Sequence, residues 1–310
     1  MERDVAAYAP ATVSNVACGF DIMGFALDEP GDQVTVRFAR GRDVKIRRIS
    51  GCTSPLPMDP AKNTAGAPVI AMLRHCGVRR GVEIEIRKGL PAGTGIGSSA
   101  ASAVAAAVAC NALLGTGLSK RELLGFALHG EQIASGGIHV DNLSPSLWGG
   151  FVLVRGYDPP DIVQIPISTP LWCVIVRPHM EVRTKESRKI LPKTVPLADV
   201  VRQTGNAAGL IAGLMSGDLN LISRSLHDVI AEPVRRHLIP AFTDLKKAAL
   251  DAGALGCSLS GSGPAVFALT SSRELARHTG TAMGAILKKV SCPHSIIVSG
   301  INRTGARVIS

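Results

Sequence analysis

The stretch Leu90 to Ser102, LPAGTGIGSSAAS, sets Gly93, Gly95 and Gly97 on alternate positions and follows them with Ser98 and Ser99. Glycine takes positive φ at little steric cost and lets a ligand approach the backbone closely. Successive N–H groups can then point into one concavity. A helix predicted to begin at Ser99 adds the positive end of its dipole. That is the chemistry of a phosphate cradle, and the serine hydroxyls can donate to phosphate or ligate Mg²⁺. A Walker A loop would carry Lys after its last glycine, whereas Ser98 follows Gly97. A dinucleotide fingerprint needs GxGxxG in a βαβ context, and the spacing here is GxGxG. The bland alternative is a flexible Gly/Ser loop before an Ala-rich helix. Pro91, the serine pair and the attached alanine run weigh against it.

Other polar residues form looser sets. Asn15 and Asp21 flank Gly19, and by themselves they suit a turn. Arg188 and Arg235 are of the type that forks onto a carboxylate, although alone they read as surface helix residues. Arg236 reads as a solvent-facing neighbour. Glu131 alone is an exposed helix carboxylate, and Asn63, before Thr64-Ala65, suits a helix cap. His129-Gly130-Glu131 has the H-x-E spacing of zinc deaminases, but no P-C-x-x-C follows it, so that chemistry is rejected. The seven cysteines are scattered and never form CxxC, which argues against a disulfide framework or zinc knuckle.

A net charge of +10 admits a nucleic-acid binder. The basic residues are spread, however, and aromatics make up only 4% of the chain, so stacking platforms are scarce. A field that attracts anionic small-molecule ligands explains the sign as well. The charged start, MERDVAAYAP, lacks the apolar core of a signal peptide. The most apolar stretch, Ala100 to Gly115, falls short of the roughly 20 residues a span requires. A soluble, cytoplasmic protein is expected.

These residues need elements to position them. Asp32 to Phe38 alternates like a half-buried strand, and Asp43 to Arg47 suggests its antiparallel hairpin partner. A third strand over GVEIEIR leads into the glycine loop. The alanine run from Ser99 predicts a helix ending at Gly115, and Ser119 with Glu122 forms a capping box for the next. Gly149 to Arg155 reads as a strand, and Pro159-Pro160 marks the domain boundary, giving domains 1–160 and 161–310. Beyond it, Leu171 to Arg177 is a continuous apolar run suited to a central strand. Helical patterns cover 197–216, 218–231, 240–252 and 273–289, with strands at Ala265 to Thr270 and Ser295 to Gly300. Mixed strands and helices with hairpins in the first half argue α+β.

The string at Leu90 to Ser102 resembles the ATP-binding motif of the GHMP kinases, P-x-x-x-G-L-G-S-S-A, with Ile96 in place of Leu. Two further motifs of that family are matched in order. APATVSNVACGFDIMGFAL (Ala9 to Leu27) is similar to the first, departing from its commonest form at Ala17-Cys18. LSGSGPAVFAL (Leu259 to Leu269) is similar to the glycine-rich third. The three span residues 9 to 270. HVDNLSPSLWGGF (His139 to Phe151), TKESRKILP (Thr184 to Pro192) and HDVIAEPVRRHLIP (His227 to Pro240) look like segments of the branch that phosphorylates homoserine.

The resemblance implies the two-domain GHMP kinase fold: an N-terminal ATP-binding domain like the second domain of ribosomal protein S5, and a ferredoxin-like C-terminal domain. It implies ATP at Pro91, Ala92, Gly93, Thr94, Gly95, Ile96, Gly97, Ser98, Ser99, Ala100 and Ala101, with Asn63 near the base. Ser98 and Glu131 would hold Mg²⁺. Asn15, Asp21, Arg188, Arg235 and Gly261 would bind the acceptor, Asp21 taking its ammonium group and the arginines its carboxylate. Asn142 would position the reactants, Thr184 would hydrogen-bond near the phosphate, and Asp141 is a candidate base. The implied reaction is ATP-dependent phosphorylation of the hydroxyl of L-homoserine to O-phospho-L-homoserine, on the route to threonine. Family members often dimerise, and a homodimer fits that habit. Another GHMP small-molecule kinase of the mevalonate-pathway type, or a non-catalytic nucleotide-binding regulator on the same fold, are the alternatives.

Overall fold

The computed structural model describes residues 4–52, 55–90, 93–135, 137 and 139–309. Its elements run β1 (Val5–Ser14), β2 (Met23–Ala39), β3 (Val44–Ser50), α1 (Gly66–His75), β4 (Gly81–Arg87), α2 (Ser98–Leu114), α3 (Lys120–Ser135), α4 (Val140–Trp148), β5 (Phe151–Tyr157) and β6 (Pro160–Ile165). They continue β7 (Trp172–Pro178), α5 (Thr184–Lys189), α6 (Leu197–Ser216), α7 (Leu219–Ser225), α8 (Glu232–Arg235), α9 (Phe242–Asp251), β8 (Gly256–Leu259), β9 (Val266–Thr270), α10 (Arg273–Lys289), β10 (His294–Gly300) and β11 (Arg307–Val308). Pro91 and Ala92 of the predicted ATP loop lie outside the described residues.

The first sheet has the order β11-β1-β2-β4-β3, with β5 on β2 and β6 on β5. The long strand β2 serves two partners on one edge: Met23–Phe25 pairs β5 and Gln33–Ala39 pairs β4. The predicted hairpin between the second strand and the 43–47 segment does not form. β3 instead pairs parallel with β4, which lies between it and β2. The reason is burial. Val82, Ile84 and Ile86 of β4 are all buried, so β4 takes the inner position, whereas β3 buries only Ile46 and shows Lys45, Arg47 and Arg48 to solvent as an edge strand does. The first sheet takes in residues on both sides of position 160, since β6 extends it to Ile165 and β11 returns to β1.

Helix α2 lies across β1 and β2 with α1, α3 and α4 around it. Seven of its alanines are wholly buried, which is how a helix apolar on every side is satisfied, and their size lets its backbone sit close to neighbours. Gly115 ends it in the left-handed conformation, and Ser119 and Glu122 cap α3 reciprocally, as predicted.

The second sheet, β10-β7-β9-β8, is antiparallel throughout. Strands and helices follow the order strand, helices, strand, strand, helix, strand, which is the ferredoxin-like arrangement. β7 sits between β10 and β9, and its alternating side chains serve two cores. Val174 and Val176 face α9 and α10, while Cys173 and Ile175 join the core of the first sheet. There Phe267 of β9 meets Phe25 of β2 edge-on, with ring centroids 5.9 Å apart. The helix predicted over 218–231 stops at Ser225. The Asp228 carboxylate takes the N–H groups of Ile230, Ala231 and Glu232, which starts the separate short helix α8 at a proline-containing first turn.

Candidate active site

The phosphate loop leaves β4 at Lys88 and enters α2 at Ser98. Gly93, Gly95 and Gly97 all have positive φ, at 69°, 75° and 69°. A Cβ on Gly97 would lie 2.1 Å from Thr12 Oγ1, and one on Gly95 would lie 2.8 Å from the Gly263 carbonyl. The glycines are therefore required both by conformation and by the approach of two other segments. Those segments are the first and third motifs. Thr12 N donates to Ile96 O (3.2 Å), Ser260 Oγ to Gly95 O (2.6 Å), and Gly261 N to Ser14 O (3.1 Å). Ile96, Ala100 and Ala101 turn their side chains into the core, so at these three only the backbone is available to a ligand.

Beneath the loop lies a cluster the sequence reading missed. Lys88 Nζ is paired with Asp32 and donates to Ser98 O and to Ser102 Oγ, both at 2.9 Å. Asp32 also accepts from Ser102 Oγ (2.7 Å) and Gly89 N (3.0 Å). Burial pushes the Asp32 carboxyl upward, against the pull of Lys88 and these hydrogen bonds. The one sequence signal was a lysine directly before the loop.

A cavity of about 620 Å³ opens in front of the loop. Its lining brings together Asn15, Asp21, Asn63, Gly93, Thr94, Gly95, Gly97, Ser98, Ser99, Glu131, Asp141, Asn142, Thr184, Arg188, Arg235 and Gly261, which come from loops and helices beside both sheets. Several expected ligand contacts are engaged internally. Asn15, at φ 70°, donates to Gly261 O (2.7 Å) and accepts from Asp21 N (2.9 Å), so it joins the first motif to the third. Asn63 accepts from Ala65 N (2.9 Å) and donates to Pro57 O (2.8 Å), a turn just ahead of α1, whose N-cap is Ala65 and not Asn63 as its sequence context suggested. Asn142 accepts from Thr12 Oγ1 and donates to Ser14 Oγ, each at 3.0 Å, which fixes its amide in the lining. Thr184 lies 3.4 Å from Ser262 Oγ.

The charged groups divide sharply. Arg188 forks onto Asp21 at 2.9 and 2.7 Å. Burial works against its guanidinium, but the hydrogen bonds and charge of Asp21 outweigh it and raise its pKa. Arg235 is only 3% exposed, whereas Arg236 points to solvent as expected. Arg235 donates to the carbonyls of Ser187 and Gly261, both at 3.3 Å, and among the described residues no carboxylate pairs with it. Desolvation lowers its pKa, the mark of a buried cation short of counter-charge. Phe20, unnoticed in the sequence, carries Arg235 at 4.9 Å and Arg188 at 5.9 Å over its ring. His139 also lines the cavity. Desolvation first, and Arg188 next, hold its pKa down.

Asp141 is buried, and its Oδ1 has no hydrogen-bond partner. Burial above all, with the charge of Asp21 adding to it, pushes its carboxyl up to about 8. Glu131 is buried as well, not exposed, and accepts from Ser99 Oγ at 2.8 Å. Ser98 Oγ donates to Leu90 O (3.1 Å) and keeps its lone pairs. Among the described residues no three His, Cys, Asp or Glu side chains form a metal cluster. One carboxylate and serine oxygens at a phosphate cradle nevertheless fit Mg²⁺, which takes few protein ligands and completes its shell with phosphate and water.

Such a cavity, with a phosphate loop beside paired and unpaired charges, defines a small-molecule phosphotransferase site. Residues 63–150 match the model for the GHMP kinases N terminal domain, and residues 207–288 that for the GHMP kinases C terminal. The chain is 49% identical to a homoserine kinase of Chloroherpeton thalassium over 99% of its own length and 100% of that protein's. It is 40% identical to a homoserine kinase of Xylella fastidiosa, over 98% of this chain and 93% of the relative. The crystal structure of homoserine kinase from Cytophaga hutchinsonii matches with a TM-score of 0.96 at 49% identity, covering 100% of this chain and 98% of that one. An L. major mevalonate kinase solved with R-mevalonate, at 18% identity and a TM-score of 0.73 over 96% of this chain and 95% of that one, shares the fold. The chain belongs to the GHMP kinase family, in its homoserine kinase branch.

Proposed function

We propose that this protein transfers the γ-phosphoryl group of ATP to the side-chain hydroxyl of L-homoserine, giving ADP and O-phospho-L-homoserine in the cytoplasm as a step toward threonine. The observation that carries the acceptor assignment is Arg235, a buried guanidinium that no carboxylate pairs with among the described residues, in one cavity with the Asp21–Arg188 pair and the phosphate loop. An α-amino acid brings both complements. Its carboxylate answers Arg235 and Arg188, and its ammonium answers Asp21.

The loop N–H groups and the N-terminus of α2 bind the triphosphate. Ser98 and Glu131 would hold Mg²⁺ with ATP, and the ion would supply charge neutralisation at the phosphates. Asn142, fixed between Thr12 and Ser14, orients the acceptor hydroxyl, and Thr184 hydrogen-bonds near the transferred group. The hydroxyl oxygen forms the new P–O bond as the bond to the β-phosphate oxygen breaks. Burial raises the Asp141 carboxyl to about 8, near the pH at which a general base works. The hydroxyl proton passes to Asp141 or to a phosphoryl oxygen, with positioning as the main catalytic contribution.

Among the described residues no helix is long and apolar enough to cross a membrane. The surplus positive charge serves anionic substrates in this reading, with no nucleic acid as partner. A homodimer is expected and is read by sedimentation velocity. The division into domains 1–160 and 161–310 is tested by limited proteolysis. The activity is tested by coupled ADP release with Mg-ATP, comparing L-homoserine with mevalonate, phosphomevalonate, galactose, shikimate and no acceptor. Release that requires homoserine supports the assignment. Release with another acceptor keeps the kinase and overturns the acceptor, and ATP binding without release from any of them makes the protein a regulator.

A further inference from the structure

We infer that Gln203, which lies outside every motif of the site, is a positioning residue that sets the acceptor subsite by tying its two charged walls together. The inference rests on the acceptor reading above. Gln203 lies on the buried side of α6 and is 9% exposed. Its Nε2 donates to Cys18 O and to Asp228 Oδ1, both at 3.1 Å, and its Oε1 accepts from Val229 N at 2.9 Å. Each partner leads directly to one wall. Cys18 is three residues before Asp21 and two before Phe20, on the turn that carries the ammonium-binding carboxylate and the ring beneath both arginines. Asp228 holds the N–H groups of Ile230, Ala231 and Glu232, and so builds the first turn of α8, which ends in Arg235.

The helix α8 is only four residues long and cannot hold itself. Its geometry depends on the Asp228 turn, and one amide joins that turn to the Cys18–Asp21 turn. An amide suits the place because it needs a donor toward a carbonyl and a carboxylate together with an acceptor toward an N–H. Asn206, one helical turn along α6, supports the same segment by donating to His227 O at 3.0 Å. Among the described residues of the phosphate loop, in contrast, no hydrogen bond comes from α6, and the supports are Lys88, Asp32, Ser102, Thr12 and Ser260. A change at Gln203 therefore separates acceptor binding from nucleotide binding.

The test uses the full chain with Gln203→Leu, which removes both hydrogen-bonding functions. Gln203→Glu serves as a second variant; it keeps the acceptor toward Val229 and loses the donors toward Cys18 and Asp228. KM for L-homoserine and for ATP is measured in each, together with the rise in melting temperature that each ligand produces. Expected in both variants is a rise in homoserine KM of about tenfold, the loss of roughly one well-made hydrogen-bond connection. The homoserine-induced melting shift should shrink, with ATP KM and the ATP-induced shift within about twofold of wild type. Parallel loss of both ligands, or no change in homoserine KM, overturns the inference. Wild-type protein run alongside separates it from the function proposed: no homoserine-dependent turnover in wild type strikes both, whereas normal wild-type turnover with unaltered variants strikes this inference alone.

Discussion

Two carboxylate–cation pairs border the cavity, and their surroundings differ. Lys88 and Asp32, under the phosphate loop, are 3% and 0% exposed, and serine and backbone groups satisfy them further. Arg188 and Asp21, at the acceptor end, are 40% and 28% exposed and face the cavity. The first pair is sealed and cannot meet a ligand by its charge, so it acts by holding Ser98 O and thereby the start of α2. The second is open to solvent, and its two groups match the charges of an amino acid. The nucleotide side is thus built of main chain braced from below, and the acceptor side of side chains that can exchange one partner for another.

The largest expected effect breaks the sealed pair. Lys88→Met leaves Asp32 buried without its cation, and urea unfolding should show a loss of about 3–5 kcal/mol. A loss under about 1 kcal/mol would mean that the pair braces nothing. Next comes the acceptor anchor. Arg235→Ala should lower kcat/KM for homoserine by about tenfold to a hundredfold, the range for a hydrogen-bonded charge, with ATP KM held. A matching rise in ATP KM would erase the distinction between the two sides.

A third effect appears in the pH dependence. The Asp141 carboxyl, raised to about 8 from its ordinary value of 3.8, binds its proton more tightly in the folded than in the unfolded chain. Its favourable contribution is then complete below pH 3.8 and is lost as pH rises toward 8. The stability of wild type relative to Asp141→Asn should therefore fall across that window and level off above it. Denaturant midpoints that run parallel from acid to mildly basic pH would contradict the burial argument. The smallest effect belongs to the open pair. Asp21→Asn should change the stability of the ligand-free protein by under about 1 kcal/mol, as exposed pairs do, while raising homoserine KM. A large stability loss there would make the two pairs alike.

The two sides also differed in how far the sequence disclosed them. The glycine loop was legible, because its conformation is local and only glycine meets it without strain. So were α2, α6 and α10, whose patterns and end signals sit in single continuous stretches. The acceptor residues could be named from short segments, but their state could not. Nothing in TKESRKILP or GFD says that Arg188 and Asp21 hold each other, and nothing in HDVIAEPVRRHLIP says that Arg235 is buried on Phe20. The 43–47 strand was misplaced because its own alternation suits either neighbour, and the more apolar β4 claimed the inner position.

By itself, then, the sequence determined the backbone-built half of this protein: the cradle, the helix behind it, the ferredoxin-like succession of elements and the family it belongs to. The cradle and the helix depend on φ preference, periodicity or a capping residue, which act over a few neighbours, and the ferredoxin-like order and the family were implied by the resemblance of the motifs. The tertiary structure alone decided which charges are sealed and which are open, what pushes the Asp141 carboxyl upward, and how Gln203 joins turns that are 185 and 25 residues away in sequence. Those outcomes depend on desolvation and on long-range partners, and both come into being only when distant segments pack.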